Sequence, residues 1–267
     1  MKRYKESKEG LKMLVYGQPG CGKTWLAGSA SEDERFGRVL MLEAFGNPIS
    51  LRTKDKVPDV ITVEEIEDFN APYEWLTNGQ DPNAQFAKSL DLKPPYGTVI
   101  VDGTTEVQRF IMRRITGNEM VPPGNLTAAM TRQGFGKLLG TMLNWATHYL
   151  ELASYGLNII MTGLEANKQD DTMLIRNTPL FWGQSGNEIC GYAYLVMRLS
   201  VALRVDPEIK VLDDEIYDDS TFNVGQLVET KRTFAKDQYG CGTQYIINPT
   251  MSKVADLIGL SSLQKST

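Results

Sequence analysis

Apolar residues in this chain fall into short runs that end on glycine or an acidic residue, separated by longer stretches with helical spacing. Lys12 to Tyr16 ends at Gly17 and reads as a buried strand, as does Arg38 to Glu43. Val60 to Val63, after Pro58, supplies a third, and the β-branched run Thr98 to Asp102 a fourth. Asn158 to Thr162, Ala193 to Val205, Gly225 to Thr230 and a short Tyr245 to Ile247 follow. Helices are expected at Lys23 to Ala30, Glu64 to Leu76, Glu106 to Ile115, Phe135 to Ser154 and Met251 to Ile258. Asp81 to Tyr96, with three prolines, reads as helix plus loop, and Pro122-Pro123-Gly124 as a flexible connection. Glu165 to Asn187 is polar and reads as an irregular, mobile loop. Strand–helix alternation of this kind predicts an α/β fold, a mostly parallel sheet with helices on both faces and a C-terminal β extension. A single domain is expected over residues 1–267, with tails at 1–10 and 259–267.

Composition narrows the chemistry. A formal net charge of −5 removes the simplest nucleic-acid signature, a strongly basic domain, without excluding a local basic groove. The three cysteines, Cys21, Cys190 and Cys241, are far apart, so neither a disulfide framework nor a cysteine zinc site follows. The only histidine, His148, excludes a multi-histidine metal site and reads as a helix-surface residue. Met1 to Gly10 lacks the apolar run of a signal peptide, and the apolar stretch Tyr192 to Leu203 is broken by Arg198 and too short to span a bilayer. A soluble, cytoplasmic protein with no membrane partner is expected.

Gly17-Gln-Pro-Gly-Cys-Gly22-Lys23-Thr24 fits G-x-x-x-x-G-K-[ST] without mismatch, between an apolar strand and a helix. Gly17 and Gly22 permit close backbone approach, and successive N–H groups can face a phosphate oxyanion. The nucleotide site is expected at Gly17, Gln18, Pro19, Gly20, Cys21, Gly22, Lys23, Thr24 and Trp25. Lys23 should reach the β- and γ-phosphates, and the Thr24 hydroxyl should ligate Mg²⁺. The cofactors are then ATP and Mg²⁺, and the chain an ATPase. Asp102, ending a buried apolar strand, is the candidate metal-holding carboxylate; the alternative is a cap on the helix that begins near Thr104. Gly103 follows Asp102 where helicases and the large AAA-type machines place a catalytic Glu, so those subclasses lose weight.

Four blocks, Leu14-Val-Tyr-Gly-Gln-Pro-Gly-Cys-Gly-Lys-Thr, Val99-Ile-Val-Asp-Gly-Thr-Thr-Glu, Asn158-Ile-Ile-Met-Thr-Gly-Leu-Glu and Thr230-Lys-Arg-Thr-Phe-Ala-Lys-Asp, together resemble a family of compact RecA-like ATPases encoded by bacteriophages and linked to single-strand annealing and recombination. The resemblance runs from about Leu11 to Ile247. It implies a RecA-like core, single-stranded DNA as partner, an association with a single-strand-binding protein, and self-association into a ring or filament with ATP between protomers. It implies that Glu43 orients or deprotonates the attacking water and that Thr162 senses the γ-phosphate; a structural role for Thr162 is the alternative. Lys231, Arg232 and Lys236 stand where the family carries trans-acting cations, a solvated basic turn being the other reading. Loops after the acidic and sensor strands would bind DNA through Arg113, Arg114, Arg132, Lys168 and Arg176, with Phe181 and Trp182 available for base stacking or for the core. Two departures stand out. Aligned on Gly46, Phe45 occupies the family's catalytic Glu position and Glu43 the preceding Asp; Gln238 replaces an Arg. A small-molecule kinase and a P-loop motor or loader for replication or packaging are the competing functions. The extra strand between the P-loop and the acidic strand argues against the kinase.

Overall fold

The computed structural model describes residues 9–44, 46, 49–116, 131–169, 173–181, 185–202 and 222–260. Strand β1 (Lys12–Gly17) leads through the glycine loop into helix α1 (Lys23–Gly28), then β2 (Arg38–Glu43), β3 (Asp59–Thr62), α2 (Asn70–Thr77) and α3 (Gln85–Ser89). Next come β4 (Tyr96–Asp102), α4 (Thr104–Thr116), α5 (Arg132–Glu151), β5 (Asn158–Gln169), β6 (Ile175–Pro179) and α6 (Ser185–Tyr192). The chain continues through β7 (Leu195–Ala202), β8 (Phe222–Gln226), β9 (Lys236–Asp237), β10 (Tyr245–Ile247) and α7 (Met251–Ile258).

Spatial order across the sheet is β10-β8-β7-β1-β5-β4-β2-β3, with β6 on β5 and β9 on β7. From β7 to β3 every pairing is parallel. The C-terminal β8 and β10 add on antiparallel beyond β7. Parallel strands buried on both faces need near-continuous apolar sequence, which is why Met13 to Tyr16 and Val99 to Val101 carry no polar residue. Alternation assigns their side chains to two cores. Leu14 and Tyr16 face a core shared with α2, α4, α5 and α6, built around Trp75, Phe110 and Trp145. Met13 and Val15 face the other, shared with α1 and α7 through Leu26 and Val254. Helix ends are set locally: Thr131 accepts from the Gly134 N–H at the start of α5, and Thr250 from Lys253 at the start of α7.

Most expected elements sit where the periodicity put them, and four differ. Glu165–Asn187 is not irregular: β5 runs on to Gln169 and folds back on β6, pairing Glu165 with Pro179 and Lys168 with Arg176, and α6 follows. A ladder held by backbone groups and exposed on its flanks needs no apolar period, so the sequence pattern does not register it. The expected helix over Glu64 to Leu76 is a 3₁₀ turn at Ile66–Phe69 followed by α2. The Asp68 carboxylate holds that turn by accepting from the Glu64 and Glu65 N–H groups. The first helix tightens to 3₁₀ at Ser29–Glu32, and β8 ends at Gln226, four residues short of Thr230.

Phe69 joins the layers. Its buried ring meets Trp145 and Tyr149 edge-on at 5.3 and 5.5 Å, and its carbonyl accepts the Tyr149 hydroxyl. Phe69→Ala is expected to cost about 3–5 kcal/mol in urea unfolding, whereas a solvent-facing swap such as Leu90→Ala on the same helix-rich face should stay within about 0.5 kcal/mol.

Candidate active site

The glycine loop leaves β1 at the sheet's carboxyl edge, and its shape is dictated by what lies next to it. A Cβ on Gly17 would stand 2.1 Å from the Leu199 carbonyl of β7, so no side chain fits. Gly22 takes φ +89°, the left-handed region, as the N-cap of α1. Gln18, Pro19 and Gly20 form an exposed tip. Cys21 is buried beneath it, and burial pushes its thiol up, so it stays protonated at neutral pH and acts as a small packing residue. The Lys23 ammonium donates to the Gly17 carbonyl at 3.1 Å and the Gln18 carbonyl at 2.8 Å, which places the cation against its own loop. Trp25 turns its ring away to the Lys54 ammonium, 3.7 Å from the ring centre, and Lys54 also pairs with Glu32.

Asp102 is the centre of the site. It ends β4 almost wholly buried. Its Oδ2 accepts the Thr24 hydroxyl at 2.7 Å, and its Oδ1 accepts the Thr162 hydroxyl from β5. Thr162 Oγ1 in turn accepts the Gly103 N–H at 3.0 Å, while the Thr162 carbonyl accepts the Thr104 hydroxyl. Burial raises the Asp102 pKa, with the two hydroxyl bonds and the nearby Lys23 charge opposing. The bonds of the Asp102 carboxylate run to two threonine hydroxyls, one of them on the P-loop helix, rather than to an N–H of α4. Thr24 and Asp102 form a pair of hard oxygen donors of the kind Mg²⁺ takes alongside phosphate and water. Among the described residues no group of three or more His, Cys, Asp or Glu side chains could hold a metal.

Glu43 ends β2 directly opposite Asp102 in the β2–β4 register and is buried. The Ala44 N–H donates to the Asp102 carbonyl, tying the two strand ends together. Phe45 lies outside the described residues.

A feature the sequence did not single out lies on the other side of the loop. Glu165, on β5 just past the P-loop, has a side chain only 2% exposed. It accepts Arg198 Nε at 2.6 Å and the Gln18 amide at 2.9 Å. In the sequence Glu165 stood only at the end of the Asn158 block and the start of a polar segment, and Arg198 only as an interruption of an apolar run. The usable signal was that interruption, since a charge in a buried strand almost always has a partner.

The remaining candidates are dispersed. Arg113 and Arg114 end α4, where Arg113 packs over Phe110 and Arg114 pairs with Glu67 at 2.9 Å. Arg132 opens α5. Lys168 and Arg176 oppose each other across the β5–β6 hairpin, with Arg176 bound to Glu229. Phe181 belongs to the core, the second of its two readings; Trp182 lies outside the described residues. Lys231 and Arg232 are exposed on the turn after β8. Lys236 departs from a trans-acting role: its ammonium donates to the carbonyls of Cys190, Gly191 and Ala193 at 3.1, 2.7 and 2.7 Å, closing the end of α6, and burial lowers its pKa. Gln238 donates its N–H to the Tyr194 carbonyl. His148 is exposed on α5 and bonded to the Asn144 carbonyl. No helix among the described residues is long and apolar enough to cross a membrane.

A strand, a glycine loop capped by a lysine, and a carboxylate clamped to the loop's threonine define a P-loop nucleoside-triphosphatase. A family model described as an AAA domain matches residues 9–239; the chain belongs to that family and is an ATPase. The match restores weight to the AAA class, which Gly103 had argued against. Among solved structures, the flagellar accessory protein FlaH of Methanocaldococcus jannaschii aligns over 90% of this chain and 84% of its own, at 10% identity and a TM-score of 0.42. No curated protein sequence matches.

The Asp102 environment makes a testable prediction. A carboxylate whose folded pKa is raised destabilises the fold when ionised, and the penalty disappears once pH falls below its unfolded value of about 3.9. Asp102→Asn should therefore melt at a higher temperature than wild type at pH 7, with the difference shrinking as pH approaches 4. Calorimetry without nucleotide reads both limbs. A difference that does not move in the variant's disfavour as pH falls from 7 toward 4 would contradict the direction of the shift.

Proposed function

We propose that the chain hydrolyses Mg²⁺–ATP and couples turnover to single-stranded DNA, as a bacteriophage-type recombination ATPase that self-associates inside the cell. The observation that carries the hydrolytic part is the chain of hydroxyl bonds Thr24–Asp102–Thr162 at the mouth of the P-loop. In this reading Lys23 and the loop N–H groups hold the β- and γ-phosphates. Thr24 and Asp102 hold Mg²⁺, which neutralises charge on the phosphates. Glu43, one strand over from Asp102, orients the attacking water and takes its proton. Thr162 bonds both Asp102 and the Gly103 N–H, so a change at the γ-phosphate is felt at the start of α4 and along β5.

The DNA part is supported by placement. Beyond Thr162, β5 continues into the hairpin that carries Lys168 and Arg176, and Arg113, Arg114 and Arg132 flank the connection between α4 and α5. Phosphate contacts from such cations would give strong salt dependence. Self-association would bring the exposed Lys231 and Arg232 of one protomer toward the nucleotide of the next. A single-strand-binding protein would be the natural co-factor on the same strand.

Two measurements test this. Glu43→Gln should retain ATP binding while slowing hydrolysis by about 10²–10⁴-fold; an unchanged rate moves water activation elsewhere. Adding a long oligo-dT to the wild-type chain should raise ATP turnover severalfold at low salt and lose that effect as salt rises. No response to single strands, with turnover raised instead by a partner motor or helicase, would favour the loader reading.

A further inference from the structure

Two neighbouring residues of β7 meet the start of the glycine loop, and both bear on the carbonyls that hold Lys23. β1 and β7 run parallel with Tyr16 opposite Arg198. The Leu199 carbonyl packs beside Gly17, 2.1 Å from where a Cβ would stand. Arg198 reaches across the end of β1 to Glu165, one residue past the Leu164 that pairs with Gly17. Its Nε donates to Glu165 Oε2 at 2.6 Å and its Nη2 to Oε1 at 3.3 Å. Glu165 Oε1 also accepts the Gln18 side-chain amide at 2.9 Å. The Gln18 main-chain carbonyl then accepts the Lys23 ammonium at 2.8 Å and the Cys21 N–H at 3.3 Å.

Burial makes this a fixed strap and not a surface ion pair. The side chain of Glu165 is 2% exposed and that of Arg198 20%. A carboxylate taken out of water is tolerated when its oxygens are satisfied, and here Arg198 meets both oxygens while Gln18 shares one. A guanidinium bonded to both oxygens fixes the plane of the carboxylate, and so aims Oε1 at Gln18. Gln18 itself lies on the exposed tip. Its carbonyl does two things there: it closes the turn at Cys21 and receives Lys23. Both carbonyls that hold the ammonium are therefore set from β7, that of Gly17 by Leu199 and that of Gln18 by Arg198 through Glu165.

We propose that Glu165 and Arg198 are positioning residues of the nucleotide site. Together they hold the Gln18 side chain, and through the Gln18 carbonyl they set where the Lys23 ammonium stands against the β- and γ-phosphates. Neither touches the nucleotide. This role rests on the loop's assignment as the phosphate site and adds β7 to the elements that shape it. Such placement matters because a misplacement of about 1 Å can cost on the order of 10²-fold in rate.

The test is titration of a fluorescent ATP analogue with Mg²⁺ into variants of the full chain. Gln18→Met keeps the side chain's length, removes its amide and lies at an exposed tip. It should bind the analogue about three- to tenfold more weakly, the contribution of one such hydrogen bond, at an unchanged melting temperature. Glu165→Gln leaves one accepting oxygen for two donors and should also weaken binding. Both changes act through one bond, so the double variant should bind no more weakly than the weaker of the two single variants. Where Glu165→Gln lowers the melting temperature, Arg198→Lys, which keeps the charge and loses the fork, replaces it in the cycle with the same expectation. Unchanged affinity in Gln18→Met overturns the proposal. So do losses that add in the double variant, which would make the ion pair a general support of the fold. Lys23→Ala, run in parallel, separates the two readings. Equal binding by wild type and Lys23→Ala removes the phosphate assignment itself, whereas a Lys23→Ala loss beside an indifferent Gln18→Met removes only the role of Glu165 and Arg198.

Discussion

Both oxygens of the Asp102 carboxylate are held by threonine hydroxyls, one from the start of α1 and one from β5, and the site is arranged around that clamp. A buried carboxylate is costly unless its lone pairs are satisfied. Thr24 and Thr162 satisfy them, and in doing so lock the P-loop helix, the acidic strand and the central strand β5 into one relative position. The parallel register makes this possible: β5 lies between β1 and β4, so residues at the carboxyl ends of all three strands meet at one edge. Glu43, in register with Asp102 on β2, extends the row by one strand.

The loop itself is shaped from outside as much as from within. The Leu199 carbonyl on β7 occupies the space a side chain at Gly17 would need. The buried Tyr16, one residue earlier, donates its hydroxyl to the carbonyls of Asn177 and Phe234. Gln18, one residue later, is tied to Glu165. Three consecutive positions of the β1–loop junction are therefore fastened to β7, β6 and β5. Two of these strands, β5 and β6, form the hairpin bearing Lys168 and Arg176. These contacts join the start of the loop to the C-terminal part of the sheet.

What was legible in the sequence is what depends on local pattern. The strand–loop–helix unit at Lys12 to Gly28, the strand ending at Asp102 and the short Tyr245–Ile247 strand could be read from apolar runs and glycine spacing. The β5–β6 hairpin could not, because its ladder is polar on both faces. Nor could the fate of Lys236, whose place in a basic run suggests an outward-reaching cation and whose ammonium in fact closes α6. Glu165 and Arg198 are 33 residues apart and meet across β1, which their strands flank on either side. Phe181 shows the converse limit: beside a tryptophan in a polar segment its sequence leaves stacking and core packing open, and its ring fills the core against Gly186.

The loop between β1 and α1, as the place where nucleotide phosphates are held, is the feature on which the proposed chemistry depends. Titration of a fluorescent ATP analogue with Mg²⁺ into wild-type and Lys23→Ala chains tests it directly. The geometry predicts saturable binding to the wild type and an affinity at least 100-fold weaker, about 2.7 kcal/mol, once the ammonium is removed. Equal affinities for the two chains, with folding intact, would place the nucleotide elsewhere and contradict the assignment.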